Sequence, residues 1–115
     1  MKILGTGEVV IGDNFHSGFG CLLITAEHNY DKGSAIPYDN TYINKNIVIE
    51  DNVWFGANVI ILGGVRIGEG AIIQAGSIVV TDVPQCVIFG NPPAGLIKYR
   101  DVEYYFKLKG EKKFN

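Results

Sequence analysis

The chain has 115 residues, 47% of them hydrophobic, and a formal net charge of -2 at pH 7. That length suits one domain, and that composition excludes a disordered chain. A charge this close to zero gives no general attraction to nucleic acid or to an anionic membrane, and no apolar run is long enough for a membrane span or a signal peptide. The two cysteines, Cys21 and Cys86, lack metal-ligand spacing, so buried free thiols in a reducing cytoplasm are expected.

Reading from the N-terminus, aliphatic residues return every six positions. The first run is Ile11, Ser17, Leu23, and the second is Ile43, Ile49, Phe55, Ile61, Ile67, Ile73, Val79. Four places further on stand Phe15, Cys21, Ile47, Val53, Val59, Val65, Ala71, Ser77 and Val83, with Glu27 the one charged exception. Three places on, the residues are Asn14, Gly20, Ala26, Asn46, Asn52, Asn58, Gly64, Gly70, Gly76 and Asp82. All but Ala26 are types that tolerate a left-handed backbone. The chain is therefore expected to turn once per hexad, always at the same phase. A helix needs a period of 3.6, and a hairpin sheet alternates every two with no reason for a turn every six. Three hexads closing one triangular coil, with coils stacked as parallel strands, satisfy all three registers.

The first hexads run from about Gly5 to His28 and the second series from Ile43 to Pro84. Between them residues 29–42, "NYDKGSAIPYDNTY", are rich in Gly, Pro, Asp and Asn and mark an excursion from one corner of the coil. Positive charge gathers after the repeat. Residues 1–95 hold four Lys or Arg against nine Asp or Glu, whereas residues 96–115 hold six against three. In that last segment "DVEYYFKLKG" reads as a short helix capped by Asp101, with Tyr104, Tyr105 and Phe106 covering the open end of the stack.

The repeat resembles the hexapeptide-repeat acyltransferases, over roughly residues 9–100. The resemblance implies an all-β fold, a left-handed parallel β-helix occupying residues 1–95 with its loop at 29–42, followed by a basic segment at 96–115. A left-handed coil is an exception to the right-handed crossover rule.

The departures from the hexad rule converge on one place. Ser17 replaces an aliphatic, Ala26 a turn residue and Glu27 a small apolar one, and His28 follows. Local rules break most often at functional or strained sites. Within the family, sugar and xenobiotic O-acetyltransferases carry a threonine shortly before a histidine that opens the protruding loop, as Thr25 and His28 do. By that resemblance His28 is the general base that takes a proton from the acceptor hydroxyl as it attacks the thioester of acetyl-CoA. Imidazole suits the task, since it accepts a proton near neutral pH. Glu27 is adjacent on an extended segment, where neighbouring side chains point opposite ways, and is read as solvated, the alternative being that it orients His28 or stabilises its imidazolium. His16 is read as a surface residue. With only His16 and His28, the sequence counts against the three-histidine zinc chemistry that some β-helices of this shape carry, and no metal is expected.

The resemblance also implies a donor site. Trp54 lies at the outward end of its hexad, where the family has Trp near the acetyl donor and a subunit boundary; a purely structural subunit contact is the equal alternative. Ala57, Ala75, Gly76 and Val80 meet the pantetheine arm, mainly through backbone groups. "GNPPAGLIKYR" resembles the family's closing motif and supplies Lys98 and Arg100 for the nucleotide phosphates. Thr81 and Gly95 stand where relatives often have a basic residue. The implied function is acetyl-CoA-dependent O-acetylation of a sugar or polysaccharide hydroxyl, by a cytoplasmic homotrimer with active sites between subunits. Alternatives are N-acetylation of an amino or nucleotide-linked sugar, and a non-catalytic β-helix assembly module.

Overall fold

The computed structural model describes residues 1–90 and 95–115. Strands β1 (Lys2–Leu4), β2 (Val9–Ile11) and β3 (His16–Ser17) make the first coil. β4 (Leu22–Ile24) opens the second, which is interrupted by an arm of β5 (Ala26–His28) and β6 (Tyr42–Asn44) and resumes through β7 (Ile47–Ile49) and β8 (Trp54–Phe55). β9 (Ile60–Leu62), β10 (Arg66–Ile67) and β11 (Ile72–Ile73) form the third coil, and β12 (Ile78–Val79) and β13 (Val87–Gly90) lie in the fourth. β14 (Gly95–Tyr99) returns antiparallel along β13, and helix α1 (Val102–Gly110) follows.

Strands of equal phase pair in parallel. β1, β4, β9 and β12 form face A; β2, β7 and β10 face B; β3, β8, β11 and β13 face C, which β14 extends. Trp54 pairs with Ile72 and Ile60 with Ile78, so a full coil takes 18 residues, or three hexads. The chain forms a parallel β-helix 55 × 24 × 22 Å across.

Both apolar registers point inward, as the spacing predicts. Leu23, Ile49, Phe55, Ile61, Ile67, Ile73 and Val79 are buried, and so are Cys21, Ile47, Val53, Val59, Val65, Ala71, Ser77 and Val83. In-register pairing stacks like on like, with Leu23 under Ile61 under Val79 and Ile49 under Ile67. Ser17 lies in the edge strand of face C with Phe55 above it, and it is exposed. A polar residue at that open end leaves no unsatisfied group.

Seven of the ten turn positions take a left-handed φ: Asn14, Gly20, Asn52, Asn58, Gly64, Gly70 and Gly76. The fourth coil is shorter, 16 residues from Ile72 to its partner Ile88. There Cys86 occupies the corner that Gly70 holds one coil below, with φ +59°. A side chain in that conformation costs roughly 1–2 kcal/mol, which the six-residue pattern gave no reason to expect.

Two expectations change. Ile43 falls in the six-residue phase yet is 40% exposed, because it belongs to β6 and pairs with Glu27 in the arm. The aromatic cluster of α1 does not cap the stack end. Asp101 does cap the helix, accepting from the Tyr104 amide, but the helix then lies along the corner between faces B and C. The Tyr105 ring packs on Gly70, where a Cβ would overlap it, and its hydroxyl accepts from Asn52 and donates to Glu69. Burial pushes the Tyr105 phenol up to about 12. Tyr104 and Phe106 remain exposed, since the helix presents one buried residue to the prism.

Candidate functional site

The arm leaves from the corner between faces A and B. From Ile24 to Val48 the chain spends 24 residues, where the coil above spends four, Leu62 to Arg66, so the arm is an insertion of 20. The excursion expected at residues 29–42 is its outer part. Its stem is an antiparallel ladder, with Ala26, Glu27 and His28 opposite Asn44, Ile43 and Tyr42.

Thr25 anchors the stem. It is buried; its amide and its hydroxyl both donate to the Leu4 carbonyl, and the hydroxyl accepts from the Gly7 amide. Its own carbonyl accepts from Lys45 where the chain re-enters the coil. A Cβ at Gly5 would run into the Thr25 hydroxyl, and Gly5 also holds φ +95°. The threonine thus ties the first coil to both strands of the arm, three residues before His28.

His28 is half-buried at the end of β5. Its ring stacks on Tyr38, with centroids 3.5 Å apart and planes 13° from parallel, and it leans on Tyr42 at 4.8 Å and 36°. Tyr42 is its cross-strand partner, a position from which side chains naturally meet. Nδ1 is enclosed and has no hydrogen-bond partner among the described residues. Glu27 lies on the other side of the strand. With Ile24, Ile43, Lys45, Leu62 and Val80 it lines a cavity of about 210 Å³ at the foot of the arm.

The arm's outer turn is organised by Asp39. Its carboxylate accepts from the amide and hydroxyl of Thr41, at 2.9 and 2.5 Å, and from the amide and hydroxyl of Ser34, at 2.8 and 3.3 Å. The Thr41 hydroxyl, followed by the Ser34 and Thr41 amides, holds the Asp39 carboxyl down to about 2. A carboxylate whose folded pKa lies below its unfolded value, 3.8, stabilises the turn above pH 3.8. That stabilisation declines as pH falls and is gone below about 2. Carbon-detected NMR of the Asp39 carboxyl should therefore titrate near 2, and in Thr41→Val the midpoint should move up toward 3.8.

The residues expected to meet the donor lie on separate parts of the prism. Ala57, Ala75 and Gly76 stack on the corner between faces C and A, where the Gly76 amide donates to the Ala57 carbonyl. Val80 sits across face A, at the cavity beneath the arm. Trp54 is exposed on face C between His16 and Ile72. Lys98 lies on the antiparallel strand beside Ile88. Arg100 is at the third corner, donating to the Gly70 carbonyl and lying 4.8 Å from the Tyr105 ring centre. The Asn-Pro part of the closing motif, residues 91–93, lies outside the described residues. Within one chain, then, His28 and the small-residue edge stand on opposite sides of face A, and Arg100 stands apart from both. The sequence reading missed Tyr38, whose only signal was an aromatic in a polar loop, and Asp39.

Among the described residues no three His, Cys, Asp or Glu side chains gather into a metal-binding group, and no helix is long and apolar enough to cross a membrane. Cys21 and Cys86 are buried free thiols, and burial raises the Cys86 thiol.

Comparison with known proteins adds the family context. The bacterial transferase hexapeptide (six repeats) model matches residues 46–81. The chain is similar to a hexapeptide-repeat-containing acetyltransferase from Vibrio cholerae O1 biovar eltor, crystallised with acetyl coenzyme A. Identity is 37% and the TM-score 0.72, over 81% of this chain and 50% of that one. It is also similar to a galactoside acetyltransferase in complex with coenzyme A, at 30% identity and a TM-score of 0.77, over 89% of this chain and 50% of that one. A maltose O-acetyltransferase from Clostridium difficile 630 matches at 25% identity and a TM-score of 0.65, over 87% and 66%. No curated protein matches the sequence. The chain resembles hexapeptide-repeat acetyltransferases and shares their left-handed parallel β-helix, and it spans about half the length of the first two structures.

Proposed function

We propose that the protein is an acetyl-CoA-dependent O-acetyltransferase of a sugar or polysaccharide hydroxyl, with His28 as its general base. The observation that carries this reading is the placement of His28: at the end of the first strand of the arm, three residues beyond its anchor at Thr25, its ring stacked on Tyr38 and Tyr42 and one nitrogen enclosed. Similarity to structures crystallised with acetyl coenzyme A or coenzyme A supports the donor. Nε2 accepts the hydroxyl proton as the alkoxide oxygen bonds to the thioester carbon. The tetrahedral intermediate collapses by breaking the carbon–sulfur bond, and the imidazolium returns its proton to the leaving thiolate. The thioester is already activated, so no acyl-enzyme is needed. The test is thiol release from acetyl-CoA with matched hydroxy and amino sugars. Release with hydroxy sugars supports the reading, release with amino sugars alone assigns N-acetylation, and release with neither overturns it.

We further propose a cytoplasmic homotrimer whose sites lie between subunits. Face A supports it. Its outward residues are Lys2 and Leu4 at the first coil and then Leu22, Ile24, Ile60, Leu62, Ile78 and Val80, aliphatic except for Lys2, with Ile78 42% exposed. A contiguous apolar face of this kind marks an association surface. Packing it against a second copy would bring one chain's arm toward another's small-residue edge, joining groups that one chain keeps apart. Burying a carboxylate there costs several kcal/mol, so Ile78→Glu should weaken association ~100-fold or more. Sedimentation equilibrium should give three chains for the wild type and one for the variant. A wild-type monomer at micromolar concentration would overturn the shared site. The two free thiols support the reducing compartment.

A further inference from the structure

Tyr38 is ten residues from His28 in sequence, yet its ring lies flat on the imidazole at 3.5 Å, closer than the cross-strand neighbour Tyr42. Ladder geometry explains Tyr42 but not Tyr38, which is brought back by the outer turn. That turn is closed by Asp39, the next residue, through four hydrogen bonds to Ser34 and Thr41, and by Asn29, whose amide and side chain donate to the Thr41 carbonyl and hydroxyl. Asn29 itself follows His28. The loop is thus tied at both ends of the stack.

A stem-end histidine otherwise has free rotation about two bonds. Nδ1 is enclosed without any hydrogen-bond partner among the described residues, so no carboxylate or carbonyl fixes the ring there. Histidines that act through one nitrogen ordinarily need such a partner to set the tautomer and the ring plane. Two aromatic faces, those of Tyr38 and Tyr42, hold the ring. We infer that Tyr38 is a positioning residue for His28: it fixes the imidazole plane by stacking, with Asp39 as its brace, so that Nε2 and not Nδ1 is presented to the acceptor. The inference rests on the reading of His28 as the base. The tautomer it requires carries its proton on Nδ1. Tyr38 is 44% exposed and its phenol makes no hydrogen bond to a described residue, so the ring face and not the hydroxyl performs the task.

Two variants and two readouts test it. The chain has two histidines, and His16, bonded to Asn14 far from the arm, serves as an internal reference. In histidine-labelled protein, the His28 ring protons should carry an upfield ring-current shift that Tyr38→Leu reduces to the part owed to Tyr42 and Tyr38→Phe keeps, while His16 does not move. Turnover should fall at least tenfold in Tyr38→Leu with the acceptor KM changed less than twofold, and Tyr38→Phe should restore most of it. Unmoved His28 signals in Tyr38→Leu would overturn the inference, and so would a raised acceptor KM with wild-type turnover, which would make the ring a binding surface. The NMR readout needs no activity. It decides the stacking even if His28→Ala keeps full turnover, a result that would overturn the base reading alone.

Discussion

His28→Ala should lower the turnover of the proposed acetyl transfer by ~10²–10⁴-fold, the usual contribution of a positioned general base, the role proposed for it. An alcohol at neutral pH is a poor nucleophile until its proton is leaving, so the loss should appear in kcat. The KM for acetyl-CoA should stay within about twofold, because the donor residues proposed at Ala57, Ala75 and Gly76 act through backbone groups that the substitution leaves unchanged. Stability should change little: His28 is outside the buried cluster, and the stem is held by Thr25 through Leu4, Gly7 and Lys45. Steady-state kinetics beside a denaturation curve separate the two effects. The loss should be smaller for a matched amine, which attacks as the free base and needs less help. Wild-type turnover in a folded His28→Ala variant would remove His28 from the mechanism.

The fold was legible because three properties repeat at one period. Inward aliphatics, inward small residues and left-handed turns each recur every six residues, and a parallel coil makes identical demands at each pass. Where the demands change, so does legibility. Ile43 keeps the phase by coincidence of spacing and lies in the arm. Cys86 takes a glycine-like corner because the fourth coil is two residues shorter, and nothing in a pattern of six announces that. The aromatic run of α1 carries no period, so its docking on Gly70 could not be foreseen. At the candidate site the irregularities were informative in an unexpected way. Ala26 and Glu27 break the hexad rule because the chain has already left the coil at Thr25 to start β5. The broken rhythm marked the root of the arm, and His28 stands out because it ends the first strand of that arm. Tyr38 was invisible for a different reason, since its contact depends on how a polar turn closes around Asp39, a tertiary event without sequence periodicity.

The largest stability loss should come from Phe55→Ala. Phe55 is fully buried in the second coil, with Ser17 below it, Ile73 above it and Phe15 edge-on at 4.9 Å. Removing a buried phenyl ring costs about 3–5 kcal/mol, the transfer free energy plus the cavity left behind. Collapse around that cavity is restricted. Ser17 is too small to fill it, and Ile73 is held in register by parallel pairing on both sides, to β8 and to β13. In a stacked repeat each coil is stabilised by its neighbours, so a defect in the second coil weakens the first and third together. The first coil is the more vulnerable, since its other side is an open edge. Against a typical total of about 5–15 kcal/mol the loss is large. Urea denaturation at one fixed protein concentration should show a midpoint far below wild type, or no folded baseline at all. Phe19→Ala, at a residue 88% exposed, should shift stability by no more than about 0.5 kcal/mol. Equal effects of the two substitutions would mean that Phe55 does not occupy the core of the prism.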